Sequence, residues 1–551
     1  MRRLIVAGSL LLSTAAAASP VVHHAVEATL EPAEATLQAR DTVTLPKALA
    51  AKRELVFTLH AGLKPRLAGD GRLQRLDRVD GAVPRQRFRL TLPAGARSFS
   101  LRYAGRIHHP LGEAVEGVGR QRRFTAGLID PKGVYLSGTS GWYPRFGDER
   151  VRFELTVRAP EGWRAISQGR RETVAGGVRW LEEQPQEDLY LVAGRYRLYR
   201  REGRHAAAEV YLRADEPELA ERYLDATDRY LALYSGLLGP YPYAKFALVE
   251  NFWETGYGMP SFTLLGPRVV RLPFIPYTSY PHEILHNWWG NGVYVDYASG
   301  NWAEGLTSYL ADHLLKEQKG AGATYRREAL QKYADYVHEH RELALTEFRG
   351  RHDSVTEAVG YGKTLMVFHM LRRKLGDEAF VAALRRLYAG NAFSVAAWSD
   401  VAAAFGAEAQ APLDTFMDQW IDRAGAPKLR LRDVSVEPTG DGYRLSVVLA
   451  QVQDEPAYVL EVPIAVQVEG REQALWREVP LEARERRVEI ELPARPLRVA
   501  VDPAFDLFRR LHREEIPPAI SQALGAERVL VVLPAAADPP LREAYRRLAE
   551  A

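Results

Sequence analysis

The spacing of apolar residues predicts an all-β region at the start of the chain. From about residue 21 to residue 199, apolar and polar residues alternate in short stretches, for example 87–92, 98–103 and 151–157, which glycine and proline interrupt. A period of two places successive side chains on opposite faces of a strand. We therefore expect many short strands here.

The spacing becomes helical after this region and later returns to a period of two. In 218–238 apolar residues recur every three or four positions, and Gly239 and Pro240 end the pattern. Strand-like alternation resumes from 429 to 501, a length that suits a β-sandwich. Further helices between these regions are predicted at 306–316, 326–338, 364–375 and 413–423.

The segment after Asp502 follows neither pattern. The apolar run 529–534 predicts a buried strand, and 541–549 predicts a helix. One strand and one helix cannot bury a core by themselves. We expect this segment either to dock on the rest of the protein or to belong to a longer α/β unit.

Residues 1–18 have the pattern of an export signal. Arg2 and Arg3 precede an apolar stretch at 4–12, and the alanines at 16–18 are small residues suited to cleavage. A membrane span takes about 20 apolar residues, so this stretch is too short, and no later stretch is long enough. The pattern predicts a signal peptide and a periplasmic or secreted mature protein; the alternative is a buried N-terminal strand.

The composition limits which metal ligands, catalytic groups and partners are available. The 551 residues include no cysteine, which excludes disulfides, a catalytic thiol and cysteine-bound metal and leaves His, Asp and Glu as metal ligands. Lys and Arg number 73 and Asp and Glu 70, without a basic cluster, so no nucleic-acid partner is expected. The length suits about three or four domains.

One motif has the spacing of a metal site. Residues 281–286 read PHEILH, so His282 and His286 lie one turn apart on a helix and can face a single cation. Glu283 is rotated by about 100° from His282, which places a base beside the metal. We expect the helix to continue to about residue 289, where a glycine-rich segment can end it.

Glu304 is the candidate third ligand. A catalytic zinc needs three protein ligands. Glu304 lies in the segment NWAEG at the start of the next predicted helix and can face back toward the histidines. Its alternative role is that of a solvated first-turn glutamate stabilised by the helix dipole.

The stretch HEILHNWWGNGVYVDYASGNWAEGLTSYLAD resembles the gluzincin metallopeptidases of the aminopeptidase N and leukotriene hydrolase family, which place H-E-x-x-H on one helix and N-E-G on the next. The resemblance implies one Zn2+ per chain bound by His282, His286 and Glu304, with Glu283 as the general base. In this chain 17 residues separate His286 from Glu304, one fewer than in the family, and a shorter loop explains the difference.

A second match lies in the segment GYGK. Its Tyr361 corresponds to the tyrosine of the family's Y-E-K-G segment, which stabilises the tetrahedral intermediate. A tyrosine hydroxyl can donate a hydrogen bond to a developing oxyanion. The alternative is an ordinary tyrosine packed at a helix start.

The segment that binds the substrate amine in the family is altered. Family aminopeptidases carry G-x-M-E-N before the zinc motif, and its glutamate holds the α-amino group. Here the segment reads GYGMPS, which keeps Gly258 and Met259 as substrate-binding candidates but has proline and serine in place of Glu and Asn. Glu250 and Glu254 lie just upstream, and Glu254 is the candidate replacement.

The resemblance also implies the architecture. It predicts a multidomain α+β protein with an N-terminal β-saddle domain, a thermolysin-like, mainly helical catalytic domain and a C-terminal β-sandwich. The large helical lid domain of the family has no counterpart in this sequence, which implies an open cleft or a homodimer that covers it. The predicted divisions are a signal peptide at 1–18, the β domain at 19–200, the peptidase domain at 201–425, the sandwich at 426–505 and a tail of uncertain structure at 506–551.

Together these features predict an exported zinc metallopeptidase of the aminopeptidase type that acts on peptide or protein substrates. The altered amine-binding segment leaves open a zinc endopeptidase or a peptidase of blocked N-termini. A non-catalytic binding protein that retains the fold is the alternative of a different class.

Overall fold

The N-terminal region is built from short strands, as its period of two predicts. The computed structural model describes residues 19–112, 124–338, 341–409, 412–526 and 528–550, so the predicted signal peptide lies outside the described residues. Helix α1 is Lys47–Ala50. The strands of this region are β1 Val21–Glu31, β2 Thr36–Thr44, β3 Glu54–His60, β4 Arg66–Ala68, β5 Arg72–Val79, β6 Arg85–Thr91, β7 Ser98–Arg106, β8 Leu128–Asp130, β9 Gly133–Leu136, β10 Arg150–Arg158, β11 Arg164–Ile166, β12 Arg170–Val174, β13 Gly177–Gln186 and β14 Leu191–Gly194.

These strands form three sheets in the described part of the chain. The largest has seven strands in the order β12-β13-β10-β1-β2-β7-β4. In it β1 runs parallel to β10, with Val21 opposite Arg150, and antiparallel to β2, with His23 opposite Thr44. The other sheets have the orders β11-β14-β9-β8 and β3-β6-β5. Every second residue of β1 from Val22 to Leu30 is buried, so one face of this strand packs into the N-terminal core.

A mixed sheet of five strands separates two cores. Its order is β15-β16-β17-β19-β18, which places β18 at an edge beside the helix that follows. On its central strand, Phe246 and Leu248 belong to the core of the helices, whereas Ala247 and Val249 belong to the core of the N-terminal strands. The five strands are β15 Arg197–Glu202, β16 Ala207–Leu212, β17 Lys245–Glu250, β18 Gly256–Met259 and β19 Phe262–Leu265.

Helices dominate the next region, as the change of period predicted. The predicted helix at 218–238 is confirmed as α2, and the one at 364–375 as α8. Three π-helical turns, Tyr309–His313, Ala358–Lys363 and Asp418–Asp422, adjoin α-helices. The helices are α2 Pro217–Leu238, α3 Ser279–Leu285, α4 Ala303–Ser308, α5 Leu314–Glu317, α6 Gly322–Tyr336, α7 Ser354–Glu357, α8 Thr364–Leu375, α9 Asp377–Asn391, α10 Trp398–Ala409 and α11 Asp414–Met417, with short parallel strands β20 Tyr294–Val295 and β21 Val395–Ala396.

Short 3-10 helices occur at several connections. They are Pro32–Glu34, Gly138–Ser140, Val269–Arg271, Ile275–Tyr277, Leu345–Glu347 and Arg513–Glu515. Val269–Arg271 and Ile275–Tyr277 connect the five-stranded sheet to α3, the helix that contains the first part of the HEILH motif.

Two three-stranded sheets follow, where the sequence predicted a β-sandwich. Their orders are β22-β23-β26 and β25-β24-β27. Both contribute buried residues, such as Val447 and Ile464, to the core that they share with the helices. The strands are β22 Leu429–Thr439, β23 Gly442–Gln451, β24 Leu460–Val468, β25 Leu475–Leu481, β26 Glu485–Leu492 and β27 Pro496–Val501.

The segment after the last strand has two parts. Its first part packs on the helices, where Leu507, Phe508 and Leu511 are buried. Its second part contains α12 Ile520–Leu524 and α13 Pro539–Glu550, so the predicted C-terminal helix is confirmed.

The predicted buried strand at 529–534 is wrong. The run is irregular and exposed, and Leu530 is 89% accessible. No other described strand pairs with it, and an apolar run without a partner has no ladder to join. Among the described residues, no helix is both long and apolar enough to cross a membrane.

Candidate metal centre

A short helix carries the two histidines of the motif. Pro281 lies in the first turn of α3, where its missing N–H breaks no helical hydrogen bond. The N–H of His286 donates to the carbonyl of His282 at 3.1 Å, which keeps both rings on one face. The predicted extension of the helix to residue 289 is wrong, because the chain turns after Leu285 and buries the two following tryptophans completely.

The outer ring nitrogens of both histidines have acceptors. His282 Nδ1 donates to Asp312 Oδ2 at 3.1 Å, and His286 Nδ1 donates to the carbonyl of Trp289 at 3.0 Å. A carboxylate and a carbonyl only accept hydrogen bonds, so these partners assign the proton to Nδ1 in each neutral ring. The Nε2 lone pairs of the two rings then face each other at 3.1 Å.

Glu304 completes a group of three converging donors. Its Oε2 lies 3.6 Å from His282 Nε2 and 3.5 Å from His286 Nε2. The three ligand atoms all lie within 4.8 Å of one another. Electron-pair donors that converge this closely repel one another unless a cation, a proton or a metal ion, lies among them. Two imidazoles and a carboxylate are ligands that zinc accepts.

Close packing between two helical segments brings Glu304 to this position. Glu304 lies in the first turn of α4, and the residue after it is a glycine. A Cβ at Gly305 would lie 2.2 Å from Thr364 Cβ and 3.0 Å from the carbonyl oxygen of Gly360. The glycine therefore permits α4 to contact the π turn Ala358–Lys363. The spacing of 17 residues between His286 and Glu304 thus still brings Glu304 close to both histidines.

Negative charge around the group favours a bound cation. Burial disfavours the charged imidazole of His282, but the neighbouring carboxylates, Asp312 first among them, together outweigh burial and raise the pKa of His282 well above its usual value. At His286 the carboxylates of Glu304 and, after it, Glu283 likewise outweigh burial and raise the pKa. Burial also opposes ionisation of Glu304, yet the two histidines hold the pKa of Glu304 well below its usual value. A metal ion would replace the protons that this charge attracts.

Glu283 lies beside the three ligands and not among them. Burial raises the pKa of its carboxyl group, and the neighbouring histidines partly offset this effect. A Cβ at Gly258 would lie 2.6 Å from Glu283 Oε2, so the edge strand β18 runs directly against the carboxylate. Within the described ranges, the Glu283 carboxylate has no hydrogen-bond or ion-pair partner. It is therefore free to accept a proton.

Tyr361 reaches the same site from the π turn Ala358–Lys363. Its ring packs edge-on against Phe348, with 6.1 Å between the ring centroids. Burial, and after it the nearby Glu304 carboxylate, raise the pKa of Tyr361 far above its usual value. The hydroxyl thus keeps its proton at neutral pH and can donate it in a hydrogen bond to an oxyanion.

A cavity of about 780 Å³ opens onto this group. Its size falls within the range of small-ligand pockets, roughly 300–1,000 Å³. The structure brings together seven of the eight predicted site residues along its wall, namely His282, Glu283, His286, Glu304, Tyr361, Gly258 and Met259.

Glu254 is the predicted site residue that does not join them. It does not line the cavity, and its Oε1 lies 2.9 Å from Nε of the exposed Arg268. Glu250 is buried and pairs with Arg271 at 2.8 Å. Both carboxylates are thus committed elsewhere, and Glu254 lacks the placement that binding a substrate amine would need.

Two functional groups escaped the sequence-based prediction. Asp312 lies eight residues after Glu304 in the π turn Tyr309–His313, and an acidic residue on the ligand-bearing helical segment is the signal that could have indicated it. The Trp289 carbonyl has no sequence signal, because every residue has a carbonyl group. Both orient the imidazoles of the candidate ligands, as hydrogen-bond partners of metal-binding histidines usually do.

The geometry of the site indicates the class of protein. Two histidines one turn apart, a glutamate from the next helix and an unpartnered glutamate beside them are the arrangement of a gluzincin metallopeptidase. In agreement, residues 279–420 match the Peptidase family M1 domain. This match and the relatives below support membership of the aminopeptidase N family of gluzincins.

The curated relatives are longer proteins. The chain is similar to aminopeptidase M1-D of Oryza sativa subsp. japonica, with 25% identity over 444 residues that cover 69% of this chain and 50% of that protein. It is also similar to aminopeptidase N of Streptomyces lividans, with 23% identity over 344 residues that cover 55% of this chain and 38% of that protein. The chain thus spans about half the length of the curated relatives it matches, or less.

Proposed function

We propose that this protein is an exported zinc metallopeptidase that hydrolyses peptide bonds, with activity of the aminopeptidase type. The observation that carries the proposal is the convergence of donor atoms from His282, His286 and Glu304 beside the unpartnered carboxylate of Glu283. These three residues would hold one zinc ion. When bound, zinc activates water and polarises the carbonyl group of the scissile bond.

The residues of the chain supply the remaining chemistry. Glu283 takes a proton from the attacking water and passes it to the leaving amine. Tyr361 donates a hydrogen bond to the oxyanion that develops on the carbonyl. Asp312 holds the ring of His282, and the lack of a side chain at Gly258 leaves space for the Glu283 carboxylate beside β18.

The wall near β18 favours a second candidate, a peptidase of blocked N-termini or an endopeptidase. The side chains that this wall presents to the cavity are uncharged, and Glu254 points elsewhere. A substrate ammonium enclosed in a cavity requires a negative partner. An acetylated N-terminal residue or an internal residue carries no ammonium group, so it requires no negative side chain on this wall.

Replacing Glu283 with Gln tests the mechanism. We expect Glu283→Gln to retain stoichiometric zinc but to lose roughly 10²–10⁴-fold in kcat, because the general base is gone while the three ligands remain. Metal analysis and peptide-library digestion, each with and without chelator, measure both quantities. Glu254→Gln is the matched control and should keep wild-type activity.

Two results would overturn this assignment. One is a purified wild-type protein that binds no zinc at stoichiometric level, and the other is wild-type turnover in Glu283→Gln. Comparison of free and N-acetylated forms of the same peptides then separates the aminopeptidase from the second candidate.

A further inference from the structure

The cavity has two walls of different character. The wall beside Glu283 consists of β18 together with Tyr135 and Tyr190, whose side chains are uncharged. The opposite wall, beside Tyr361, carries four charged side chains from α6, from α7 and from the residues that precede α7: Glu328, Lys332, Arg351 and Glu357. Apart from the candidate metal centre with Glu283 and Asp312, a ligand that fills the cavity therefore meets charged side chains only on the wall beside Tyr361.

The charges on this wall are unequally paired. Lys332 Nζ donates to Glu357 Oε1 at 2.8 Å and lies one helical turn after Glu328 on α6. A second carboxylate, that of Glu328, therefore lies on the same face of α6 as Lys332. Arg351 approaches only the second oxygen of Glu357, with 3.4 Å between Nη1 and Oε2.

Most of the Arg351 guanidinium is available to a ligand. In the part of the chain that the structure describes, its N–H groups make no hydrogen bond, and its side chain is 35% exposed within the cavity wall. Arg351 is also close enough to the Tyr361 hydroxyl to oppose the effects of burial and Glu304 on the pKa of that group. A planar guanidinium with free N–H donors matches a carboxylate through two parallel hydrogen bonds.

We propose that Arg351 is a specificity-determining residue that binds a carboxylate group of the peptide substrate, while Lys332 stays with Glu357. This inference rests on the proposed peptidase function, since it takes a peptide as the ligand. The carboxylate comes either from the C-terminus of a short peptide or from an acidic side chain. Both sources present the same chemistry to Arg351, and the uncharged wall then receives the other end of the peptide.

Peptide binding to the zinc-loaded Glu283→Gln protein tests the proposal without turnover. The probes are a tripeptide with neutral side chains and a free C-terminus, its C-terminal amide, and an amide that carries one glutamate side chain. Isothermal titration calorimetry should show that at least one carboxylate-bearing peptide binds roughly ten- to hundred-fold more tightly than the neutral amide. The peptide that gains affinity identifies the source of the carboxylate.

Substitution of Arg351 in the same background locates the effect. Arg351→Met should bring the affinities of the three peptides to within about two-fold of each other, and Arg351→Lys should restore part of the difference because the charge returns without the planar fork. Arg268→Met is the matched control, because Arg268 is an exposed arginine outside the cavity, and it should keep the full preference. Thermal unfolding of each variant verifies that it is folded.

Three results would overturn the proposal. They are equal affinities for all three peptides, a preference that survives Arg351→Met, and failure of every peptide to bind. The proposed peptidase function is judged separately, by zinc-dependent cleavage in the wild-type protein, so either conclusion can fail while the other stands.

Discussion

Hydrogen bonds on the far side of each histidine determine what the near side can bind. Asp312 and the Trp289 carbonyl each accept a hydrogen bond from an Nδ1–H group, which leaves both Nε2 lone pairs directed at Glu304. The ligand group is thus ordered by its neighbours before any ion arrives.

Removal of the Asp312 carboxylate should weaken zinc binding. Without it the ring of His282 loses both its orientation and a charge that favours a bound cation. We expect Asp312→Ala to bind zinc about 10–100-fold more weakly, with activity recovering at excess zinc. Competition against a chromophoric chelator measures the affinity, and exposed Asp377→Ala is the control. An unchanged zinc affinity in Asp312→Ala would refute this role.

Lys363 is a buried lysine near the site, and among the described residues its Nζ pairs with no carboxylate. It is 1% exposed, and its Nζ donates to the carbonyl of Arg423 at 2.6 Å and lies 5.6 Å from the ring centroid of Phe508. Burial lowers the pKa of Lys363 to about 7, and Glu342 only partly offsets this effect. The folded protein therefore releases this proton at a lower pH than the unfolded chain, whose lysine titrates near 10.4.

The free energy of unfolding should consequently depend on pH through Lys363. Between pH 7 and about 10 the unfolded chain binds more protons at this position, so stability rises with pH in that window. From pH 6 to pH 9 the wild type should gain about 2–3 kcal/mol relative to Lys363→Met. Urea denaturation at both pH values measures the difference. The exposed Lys374→Met should show no such change relative to wild type, and a pH-independent difference for Lys363→Met would contradict the argument.

At the scale of elements, the site depends on how closely its segments approach one another. Gly258 lets β18 run against Glu283, and Gly305 lets α4 meet the π turn that carries Tyr361. Asn287 adds a direct link, because its Oδ1 accepts a hydrogen bond from the N–H of Ser261 at 2.7 Å. The edge strand, α3 and α4 therefore pack together around the candidate catalytic groups.

A single methyl group at position 258 should disturb this packing. In Gly258→Ala the new Cβ would meet Glu283 Oε2 at 2.6 Å, so the carboxylate must shift. We expect roughly a 10–100-fold loss of kcat/KM with zinc content unchanged, since a displacement of about 1 Å can cost 10²-fold. Gly256→Ala is the matched control on the same strand, because no atom lies within 4 Å of its added Cβ. Equal activity of the two variants would show that the close contact has no catalytic consequence.

Local sequence patterns predicted the spacing of the site residues within one helix better than they predicted contacts between distant segments. The spacing of His282, Glu283 and His286 depends only on helical geometry, and the structure places them as expected. The prediction that Glu254 binds substrate was wrong, because proximity along the chain does not indicate which way a loop turns. Nothing in the sequence indicated that Glu254 pairs with Arg268. The strand expected at 529–534 failed for a similar reason, since a strand needs a neighbour that a local pattern cannot reveal.

At the scale of the whole molecule, a buried ionic network connects the helices to the segment that follows the C-terminal strands. Arg326 on α6 donates to Asp506 Oδ1 at 2.9 Å and to the carbonyls of Ala504 and Phe505. His369 on α8 shares the same carboxylate oxygen at 2.9 Å. No local pattern in the sequence indicates this connection, because the partners are up to 180 residues apart.

Breaking this network should destabilise the protein. Arg326→Met leaves the Asp506 carboxylate without its main cationic partner, which typically costs about 3–5 kcal/mol when one member of a buried pair is removed. Chemical denaturation measures the loss. Arg341→Met, which removes an exposed ion pair with Asp353, should cost about 1 kcal/mol or less. Similar losses in the two variants would show that the buried network contributes no special stability.

The exposed apolar run at 529–534 affects how the protein behaves in concentrated solution. Leu530 and Val532 are 89% and 83% accessible, and the run contains no charged residue. An unpaired β-prone stretch is a template for pairing with the same stretch of another molecule. Self-association and precipitation should therefore start at this segment, and a charged residue within it would make the protein more soluble without touching the metal centre.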